Sequence, residues 1–444
     1  MDPMTTFPAR LPYRALAVLL SFAAALIAFY ALRGAEPPSQ RAEARAIAPP
    51  ASRPAASTDA EIARLQAVVR DAPRETAARV RLAGAYLGKV RESGDPAFYA
   101  RADGLLREAL AQRPGDHDAL VASAGVALSR HDFRRGLALA RRARAARPAA
   151  LAAYPAIVDA LVELGRFDAA ERTLQRLIDA KPGLAGYARV SYFRELHGDL
   201  AGAAAAMRLA IGAAGTEREA LANVQSLLGT LELARGRPAS AGSAHRAALA
   251  ALPGYPAAEA GLARAAAARG DLAGAVRRWR ALAERLPLPE YVIGLGEAQL
   301  AAGREAAGRR ELELVGAEQR LAAGGVNVDA ELAVFEADHG SPARALELGR
   351  RAWRAAPGLR AADARGWALT RGGRPAAGLR WAHRALRLGS RDAIFRYHAG
   401  VAALAAGRED EGRSHLRIAL SHGLPGWPWQ AAHARDSLAE GGRR

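Results

Sequence analysis

LARAAAARGDLAGAVRRWRALAERLP, residues 262–287, is the stretch that decides the fold. Its apolar and small residues fall at helical spacing on both sides of Gly270-Asp271-Leu272, as expected for two amphipathic helices joined by a tight turn. Gly270 permits the left-handed backbone that closes a first helix, and Pro287 ends a second helix because it has no amide hydrogen to donate. The stretch predicts one helix-turn-helix unit.

The same glycine and proline marks recur along the chain. Prolines stand 34 residues apart, at Pro114, Pro148 and Pro182 and again at Pro253 and Pro287. Glycines stand 17 residues ahead of later prolines, at Gly165, Gly236, Gly270 and Gly340. Two marks half a period apart are what two helices and two turns per unit require, so the chain is predicted to be an array of repeated units.

The repeated unit resembles the tetratricopeptide repeat, whose signature places Leu-Gly, a turn, alanine, phenylalanine, alanine and proline at corresponding offsets. Leu228-Gly229 and Leu295-Gly296 match the Leu-Gly pair, whereas Leu282 stands where the signature has its second alanine. The helix-crossing position carries a small residue in most units, at Ala102, Ala170, Ala203, Ala241, Ala275 and Ala345, with Gly378 and Gly412 later in the chain. The related Sel1-type repeats, which have a somewhat different period, are the alternative.

This resemblance implies an all-α fold, a right-handed α-α superhelix (solenoid) of about ten helix-turn-helix repeats. The predicted repeats begin near residues 75, 115, 149, 184, 220, 254, 288, 326, 358 and 391, after a lone helix from Thr58 to Arg70. It also implies that the first helix of each pair lines a concave groove, where members of this family bind peptides or helices of other proteins.

An apolar segment precedes the array. Ala15 to Leu32 is an uncharged run of 18 residues between Arg14 and Arg33. At about 1.5 Å per residue it just reaches across a bilayer core, which favours an uncleaved membrane anchor. A cleavable signal peptide is the alternative, and Arg33 at the −3 position disfavours its obvious cleavage site after Ala35.

The predicted organisation follows from these segments. It comprises a tail over residues 1–14, a transmembrane anchor or signal helix over 15–32, a proline- and alanine-rich linker over 33–57, a solenoid over 58–424, and a capping helix and tail over 425–444. A short tail ahead of a large folded body is typical of a signal anchor, so the body is predicted to be periplasmic or otherwise extracytoplasmic. The flanking arginines do not decide the orientation.

The composition excludes several kinds of site. With no cysteine, the chain has neither disulfides nor thiolate ligands nor a thiol nucleophile. The net charge of +18 suggests an anionic partner, but all except two of the 63 basic residues are arginines, which fits a GC-rich coding bias. The densest basic stretch, Arg134 to Arg147, has no interleaved aromatics to stack on bases, so nucleic acid is disfavoured.

No signature of catalysis is found in the sequence. His-Glu-x-x-His, Gly-x-x-x-x-Gly-Lys and Gly-x-Ser-x-Gly are absent. His415 and His422 could share a helical face, but no carboxylate is positioned beside them by sequence, so a metal is not predicted. The chain is therefore interpreted as a protein that is not an enzyme, with no catalytic, cofactor-binding or metal-binding residue assigned.

The repeat register predicts which side chains point into the groove. They are Asp159, Arg189, Tyr192, Asn223, Arg264, Glu297, Asp338, Asp363, Trp367, Arg371, Tyr397 and His398. The candidate partner-binding residues among them are Asp363, Trp367, Arg371, Tyr397 and His398 in one cluster, Arg189 and Tyr192 in another, and Arg264. Tryptophan, tyrosine and arginine commonly anchor protein interfaces. The competing interpretation is that Trp367 and Tyr397 fill the space between neighbouring helices.

The sequence therefore predicts an interaction scaffold at a bacterial envelope, binding a partner peptide or helix in its groove. The alternative is a basic adaptor on the cytoplasmic face, contacting nucleic acid or anionic lipid through an arginine-rich convex surface. A lysine- and asparagine-based clamp for chaperone C-termini is disfavoured, because no lysine lies at a groove position.

Overall fold

The computed structural model describes residues 58–93, 95–321 and 326–440. The predicted tail, anchor and linker over residues 1–57 lie outside this part of the chain, as do residues 441–444 of the predicted C-terminal tail. Among the described residues, no helix combines the length and the apolar character needed to cross a membrane. The described residues all belong to one compact unit, residues 56–444.

The described residues form 22 α-helices and no strand. The helices are α1 (Thr58–Asp71), α2 (Thr76–Ser93), α3 (Ala97–Gln112), α4 (His117–Ser129), α5 (Phe133–Ala146), α6 (Tyr154–Glu163), α7 (Phe167–Ala180), α8 (Leu184–Leu196), α9 (Leu200–Gly212), α10 (Arg218–Ala234), α11 (Pro238–Ala251), α12 (Pro256–Ala268), α13 (Leu272–Arg285), α14 (Pro289–Ala301), α15 (Glu305–Leu321), α16 (Asp329–His339), α17 (Pro342–Ala355), α18 (Leu359–Arg371), α19 (Pro375–Ala385), α20 (Ala393–Ala405), α21 (Glu409–Ser421) and α22 (Pro428–Glu440).

Helices α2 to α21 pack as ten successive pairs, numbered here from pair 1 (α2 and α3) to pair 10 (α20 and α21). Each pair begins within a few residues of its predicted start, for example at Leu184 in pair 4 and Leu359 in pair 9. The prediction of an all-α array of about ten helix pairs is confirmed.

The turn inside each pair is stabilised by its own residues. In three pairs an aspartate after the turn caps the second helix, because its carboxylate accepts a hydrogen bond from a backbone amide of the first helical turn. These bonds run from Gly202 N to Asp199, from Gly274 N to Asp271 and from Arg135 N to Asp132, at 2.8, 2.7 and 3.2 Å.

The array curves with its first helices on the inner side. In most neighbouring pairs of the described array the two first helices contact each other directly, whereas second helices of neighbouring pairs touch weakly or not at all. Alanine and glycine at the crossings let the helices approach closely, and the crossing residues Ala102, Ala170, Ala203 and Ala345 are fully buried. The inner side formed by the first helices is called the groove below.

After six pairs the chain returns to its own earlier repeats. The turn inside pair 2 meets the start of pair 8, where Asn327 N donates to Arg130 O at 3.0 Å and His131 Nδ1 donates to Asn327 O at 2.8 Å. The turn glycines inside pairs 3, 4 and 5, Gly165, Gly198 and Gly236, lie close to the backbone carbonyls of Pro357, Gly389 and Ser421. One superhelical turn therefore takes six repeats, and the second turn packs on the first.

The turn glycines make this contact possible. Gly165 and Gly198 have φ of 69° and 78°, where a side chain would be strained. A Cβ at either position would also lie 2.4 Å from a carbonyl oxygen of the next superhelical turn, that of Pro357 or Gly389. These glycines therefore serve two purposes, since they close the first helix of their own pair and admit the backbone of a distant pair.

Candidate functional site

The groove of the later repeats is occupied by the chain's own C-terminal segment. After pair 10, a short 3₁₀ turn at Leu424–Gly426 redirects the chain, and α22 then packs against α14 and α20, the first helices of pairs 7 and 10. Trp427, at the entry to α22, lies 4.9 Å from the guanidinium carbon of Arg264 on α12. That guanidinium also lies 5.6 Å from the Trp279 ring, and its burial lowers the pKa of Arg264.

A polar contact fixes the middle of this segment. Gln430 on α22 is 5% exposed, and its Nε2 donates to Glu297 Oε1 on α14 at 2.9 Å. His339 at the end of α16 donates from Nε2 to the same oxygen at 3.1 Å. The Trp429 ring lies 4.7 Å from the His339 ring. The C-terminal segment thus contacts groove side chains of pairs 7 and 8 as well.

Next to this contact lies the groove cluster, defined as Asp338, Asp363, Trp367, Tyr397 and His398. Trp367 stacks on His398 with ring centroids 4.2 Å apart and planes 13° apart. Its Nε1 donates to Asp338 Oδ1 at 2.9 Å, and His398 Nδ1 donates to Asp363 Oδ2 at 2.9 Å. The cluster is therefore a hydrogen-bonded stack and not a set of free side chains.

Burial shapes the ionisation of this cluster. It raises the pKa of Asp338 to about 6, assisted by Glu297 and opposed by His398. For His398, burial disfavours the protonated ring, but the carboxylates of Asp363 and Asp338 outweigh it and raise its pKa. Two acids and one imidazole therefore share a region with little access to water, which strengthens their interactions.

The structure brings most predicted groove residues together, but as covered side chains. Asp363, Trp367, Tyr397 and His398 are between 2% and 3% exposed, as expected if they fill the space between pairs 8 to 10. Arg371 is exposed, with its guanidinium 5.6 Å from the Trp367 ring. A role for these residues in binding a partner stays a prediction.

Arg189 and Tyr192 lie elsewhere, beside a cavity between the two superhelical turns. Arg189 Nη2 pairs with Asp159 Oδ2 at 2.5 Å, and Tyr192 Oη donates to Glu163 Oε1 at 3.3 Å. The cavity, about 470 Å³, is lined on its other side by residues of pairs 8 and 9 that include Asn327 and Arg360. It is called the inter-turn cavity below.

A second, smaller space of about 80 Å³ shares Glu163, Tyr192 and Arg360 with the lining of the inter-turn cavity. Glu195 lines it, and burial together with the nearby Asp392 raises the pKa of Glu195 to about 7, against the opposing charge of Arg360. Burial likewise raises the pKa of Tyr192.

The sequence analysis did not predict two of the residues that line the inter-turn cavity. Glu163 and Arg360 were not predicted as site residues, although both line it. Glu163 ends a first helix and Arg360 begins one, six pairs later in the chain. No local pattern links two such positions, because their meeting depends on the pitch of the whole superhelix.

The predicted basic stretch of α5 is partly used within the protein. Arg134 donates to the carbonyls of Arg354 and Ala355 at 3.1 and 3.2 Å, across the two superhelical turns. Arg135 pairs with Asp103 at 2.8 Å, and Arg142 donates to Pro114 O at 3.2 Å. These arginines therefore stabilise the array as well as facing solvent.

A different basic surface, on α17 to α19, combines arginine with tryptophan. Trp353 and Trp381 meet edge to face with centroids 4.7 Å apart. The Arg365 guanidinium lies 4.2 Å over Trp381, and that of Arg384 lies 5.1 Å from both rings. Burial and the charges of Arg350 and Arg384 lower the pKa of Arg365. This is called the Trp-Arg surface.

His415 has a carboxylate partner that the sequence did not reveal. His383 Nε2, Glu411 Oε1 and His415 Nε2 lie within 4.8 Å of one another. However, Arg396 Nη1 donates to His415 Nδ1 at 3.2 Å, which leaves the proton on Nε2. A metal-binding histidine normally donates from its second nitrogen to an acceptor, so this group does not have the surroundings of a metal site.

Comparison with known proteins gives helical repeat structures. No protein-family model and no curated protein matches the sequence. Among solved structures, the type IV pilus biogenesis factor PilW is 17% identical, covering 47% of this chain and 96% of its own, with a TM-score of 0.40. The human IFIT1 dimer with PPP-AAAA is 14% identical, covering 74% and 78%, with a TM-score of 0.46. YrrB, a TPR protein with an unusual peptide-binding site, is 16% identical, covering 41% and 92%, with a TM-score of 0.28.

Proposed function

We propose that this chain, a tetratricopeptide-like helical repeat protein, is a non-enzymatic scaffold that holds a helix of a partner protein in its groove. The observation that carries the proposal is the position of α22, which packs against the first helices of pairs 7 and 10. A groove that accepts one helix offers the contacts that a partner helix would use.

The contacts of the C-terminal segment suggest the chemistry of the partner. Trp427 meets Arg264, Trp429 meets His339, and Gln430 meets Glu297. Aromatic side chains that bury large areas beside a polar handle are typical anchors of protein interfaces. A partner helix is therefore expected to carry aromatic residues and an amide or hydroxyl group on one face.

The proposal is tested with a labelled peptide of residues 423–440 and a chain that ends at His422. The shortened chain is expected to bind the peptide saturably, whereas the full chain, whose groove is occupied, binds it at least about tenfold more weakly. A peptide with Trp427→Ala and Trp429→Ala serves as the matched control.

Fluorescence anisotropy measures the affinity, and circular dichroism verifies that the shortened chain keeps its helices. Equal binding of the native and the doubly substituted peptide, or no binding by a folded shortened chain, would contradict the groove as a helix-binding site.

The membrane anchor over residues 15–32 and the extracytoplasmic location are part of the same proposal. They are supported by the apolar run from Ala15 to Leu32. A topology reporter fused after Arg444 distinguishes an exported body from a cytoplasmic one. Reporter activity in the cytoplasm would contradict the proposed extracytoplasmic location.

A second candidate function, binding of single-stranded nucleic acid, is favoured by the Trp-Arg surface. Trp353 and Trp381 are half-buried on second helices, and arginines surround them, as on surfaces that stack bases and contact phosphates. Titration with an oligonucleotide at physiological salt tests it. Arg365→Glu should abolish binding, while Arg277→Glu, on the exposed side of α13, serves as control. Equal binding by both variants would reject the Trp-Arg surface as the site.

A further inference from the structure

An open cavity between the two superhelical turns is lined by arginines from both of them. Arg166 lies in the turn inside pair 3, Arg172 lies on α7, and Arg387 follows α19 in pair 9. The cavity has a volume of about 520 Å³, and the three arginine side chains are exposed. It is called the arginine cavity below, and it is large enough to hold a small molecule.

The three guanidinium groups have no carboxylate partner. Within the part of the chain that the structure describes, none of them forms an ion pair. Asp168 lines the same cavity, but its carboxylate pairs with none of the three. The lining of the arginine cavity therefore has three positive charges and one negative charge, which favours a ligand with two negative charges.

The neighbouring cavities between the superhelical turns are different, because their arginines have carboxylate partners within the protein. Where pair 2 meets pair 8, Arg351 pairs with Asp329 at 2.9 Å. Where pairs 4 and 5 meet pair 10, Arg235 pairs with Glu232 at 3.0 Å. Of these three cavities of the described chain, only the arginine cavity lacks such a pair, so an excess of arginine is not a general property of the contact between turns.

Neutral groups hold Arg387 in position. Its guanidinium carbon lies 5.0 Å from the centroid of the Phe167 ring, and its Nη2 donates to Gly165 O at 3.4 Å. These two contacts orient the guanidinium and leave most of its five N–H donors available to a ligand. Burial and the charge of Arg384 lower the pKa of Arg387, as expected for a cation without an anion beside it.

We infer that Arg166, Arg172 and Arg387 bind a phosphate group in the arginine cavity. A guanidinium can donate two parallel hydrogen bonds to phosphate oxygens, and a phosphate group has enough oxygens to accept from several guanidinium groups at once. Near neutral pH a phosphomonoester carries close to two negative charges. It therefore balances the charge of the cavity, whereas a carboxylate group carries only one negative charge.

The bound phosphate group would contact both superhelical turns, since Arg166 and Arg172 belong to the first turn and Arg387 belongs to the second. A ligand that binds only when the two turns are packed together stabilises that packing. This inference depends neither on the proposed partner helix nor on the Trp-Arg surface, whose tryptophans do not line the arginine cavity.

The test uses the full chain with inorganic phosphate and glycerol 3-phosphate as separate probes, at an ionic strength matched with sodium chloride. Calorimetry measures affinity and stoichiometry, and thermal denaturation measures Tm. Arg166→Gln and Arg387→Gln each remove one charge, and circular dichroism verifies that they keep their helices. Arg277→Gln, exposed on α13 and outside the cavity, is the matched control.

The wild type and Arg277→Gln are expected to bind one phosphate group saturably, with a higher Tm. Arg166→Gln and Arg387→Gln should bind it at least about tenfold more weakly and lose the rise in Tm, because each lacks one charged donor pair. Binding of either probe with this pattern supports the inference. Tighter binding of inorganic phosphate indicates a free ion as the ligand, and tighter binding of glycerol 3-phosphate indicates a phosphomonoester.

Three results would overturn the inference. The first is a wild type that binds neither probe, and the second is equal affinity for phosphate in the wild type and both glutamine variants. The third is binding of sodium acetate as tight as that of phosphate, which would show that the cavity does not select for phosphate.

Discussion

The groove cluster around Trp367 and the inter-turn cavity around Tyr192 use the same residue types in different ways. Each combines carboxylates, an aromatic ring and basic side chains contributed by first helices. In the groove cluster Trp367 is 2% exposed and stacked on His398. At the inter-turn cavity Tyr192 is half-buried and faces a space of about 470 Å³.

The difference comes from what lies opposite each set of first helices. The groove cluster is flanked by α22, which packs against α14 and α20 of pairs 7 and 10 and meets His339 of pair 8. The inter-turn cavity lies where pairs 2 to 4 meet pairs 8 and 9, which touch at their turns and leave a gap between. Whether a groove side chain is buried or faces a cavity therefore depends on the segment that packs opposite its helix.

The largest expected effect is the loss of stability on substitution of Trp367 in the groove cluster. Trp367→Ala should lower the free energy of unfolding by about 3–5 kcal/mol, because it leaves a large void and removes the donor to Asp338. Tyr192→Ala, at the edge of an existing cavity, should cost only about 1–2 kcal/mol. Urea denaturation followed by circular dichroism measures both. Similar losses for the two variants would mean that the two regions are packed alike.

The next prediction distinguishes the contact between the two superhelical turns from the backbone strain at the turn inside a single helix pair. Gly165→Ala is strained by its φ of 69° and meets Pro357 O at 2.4 Å, whereas Gly407→Ala, with φ of 76°, meets nothing within 4 Å. The strain common to both should cost about 1–2 kcal/mol. The clash at Gly165 should add about 1–3 kcal/mol. Equal midpoints in thermal denaturation would indicate that the two superhelical turns do not pack in solution.

The smallest effect concerns pH at the inter-turn cavity. The folded-state pKa of Glu195, about 7, lies above its ordinary 4.5, so the folded chain keeps a proton that the unfolded chain has lost between these values. Its contribution to stability therefore falls as the pH rises from about 4.5 to about 7, and then levels off. Glu195→Gln, which stays neutral, should be on the order of 1–2 kcal/mol more stable than the wild type near pH 8 and equal to it near pH 4.

Denaturation at both pH values measures this difference. The control is Glu171→Gln, on the exposed side of α7. Asp199, a nearby acid, is unsuitable as a control because it caps α9 and its substitution would itself lower the stability. A stability difference for Glu195→Gln that did not depend on pH would contradict a buried carboxyl at this position.

The candidate site was predictable from the sequence only as a set of positions. The repeat register placed Asp363, Trp367 and His398 on the inner faces of neighbouring first helices, and the structure finds them in contact. It could not indicate that α22 would join Trp367 and Tyr397 in one buried cluster. Nor could it pair Glu163 with Arg360, because the separation of the two superhelical turns was not encoded in either repeat.

The sequence by itself determined the helix pairs, their starts and the small residues at their crossings, because these depend on contacts within about 34 residues that recur in every unit. Only the tertiary structure decided that six repeats complete a superhelical turn and that the C-terminal helix occupies the groove. The physical reason is that a superhelix adds up small rotations between repeats. A slight change in each rotation moves distant repeats by many ångströms without altering the pattern of any one of them.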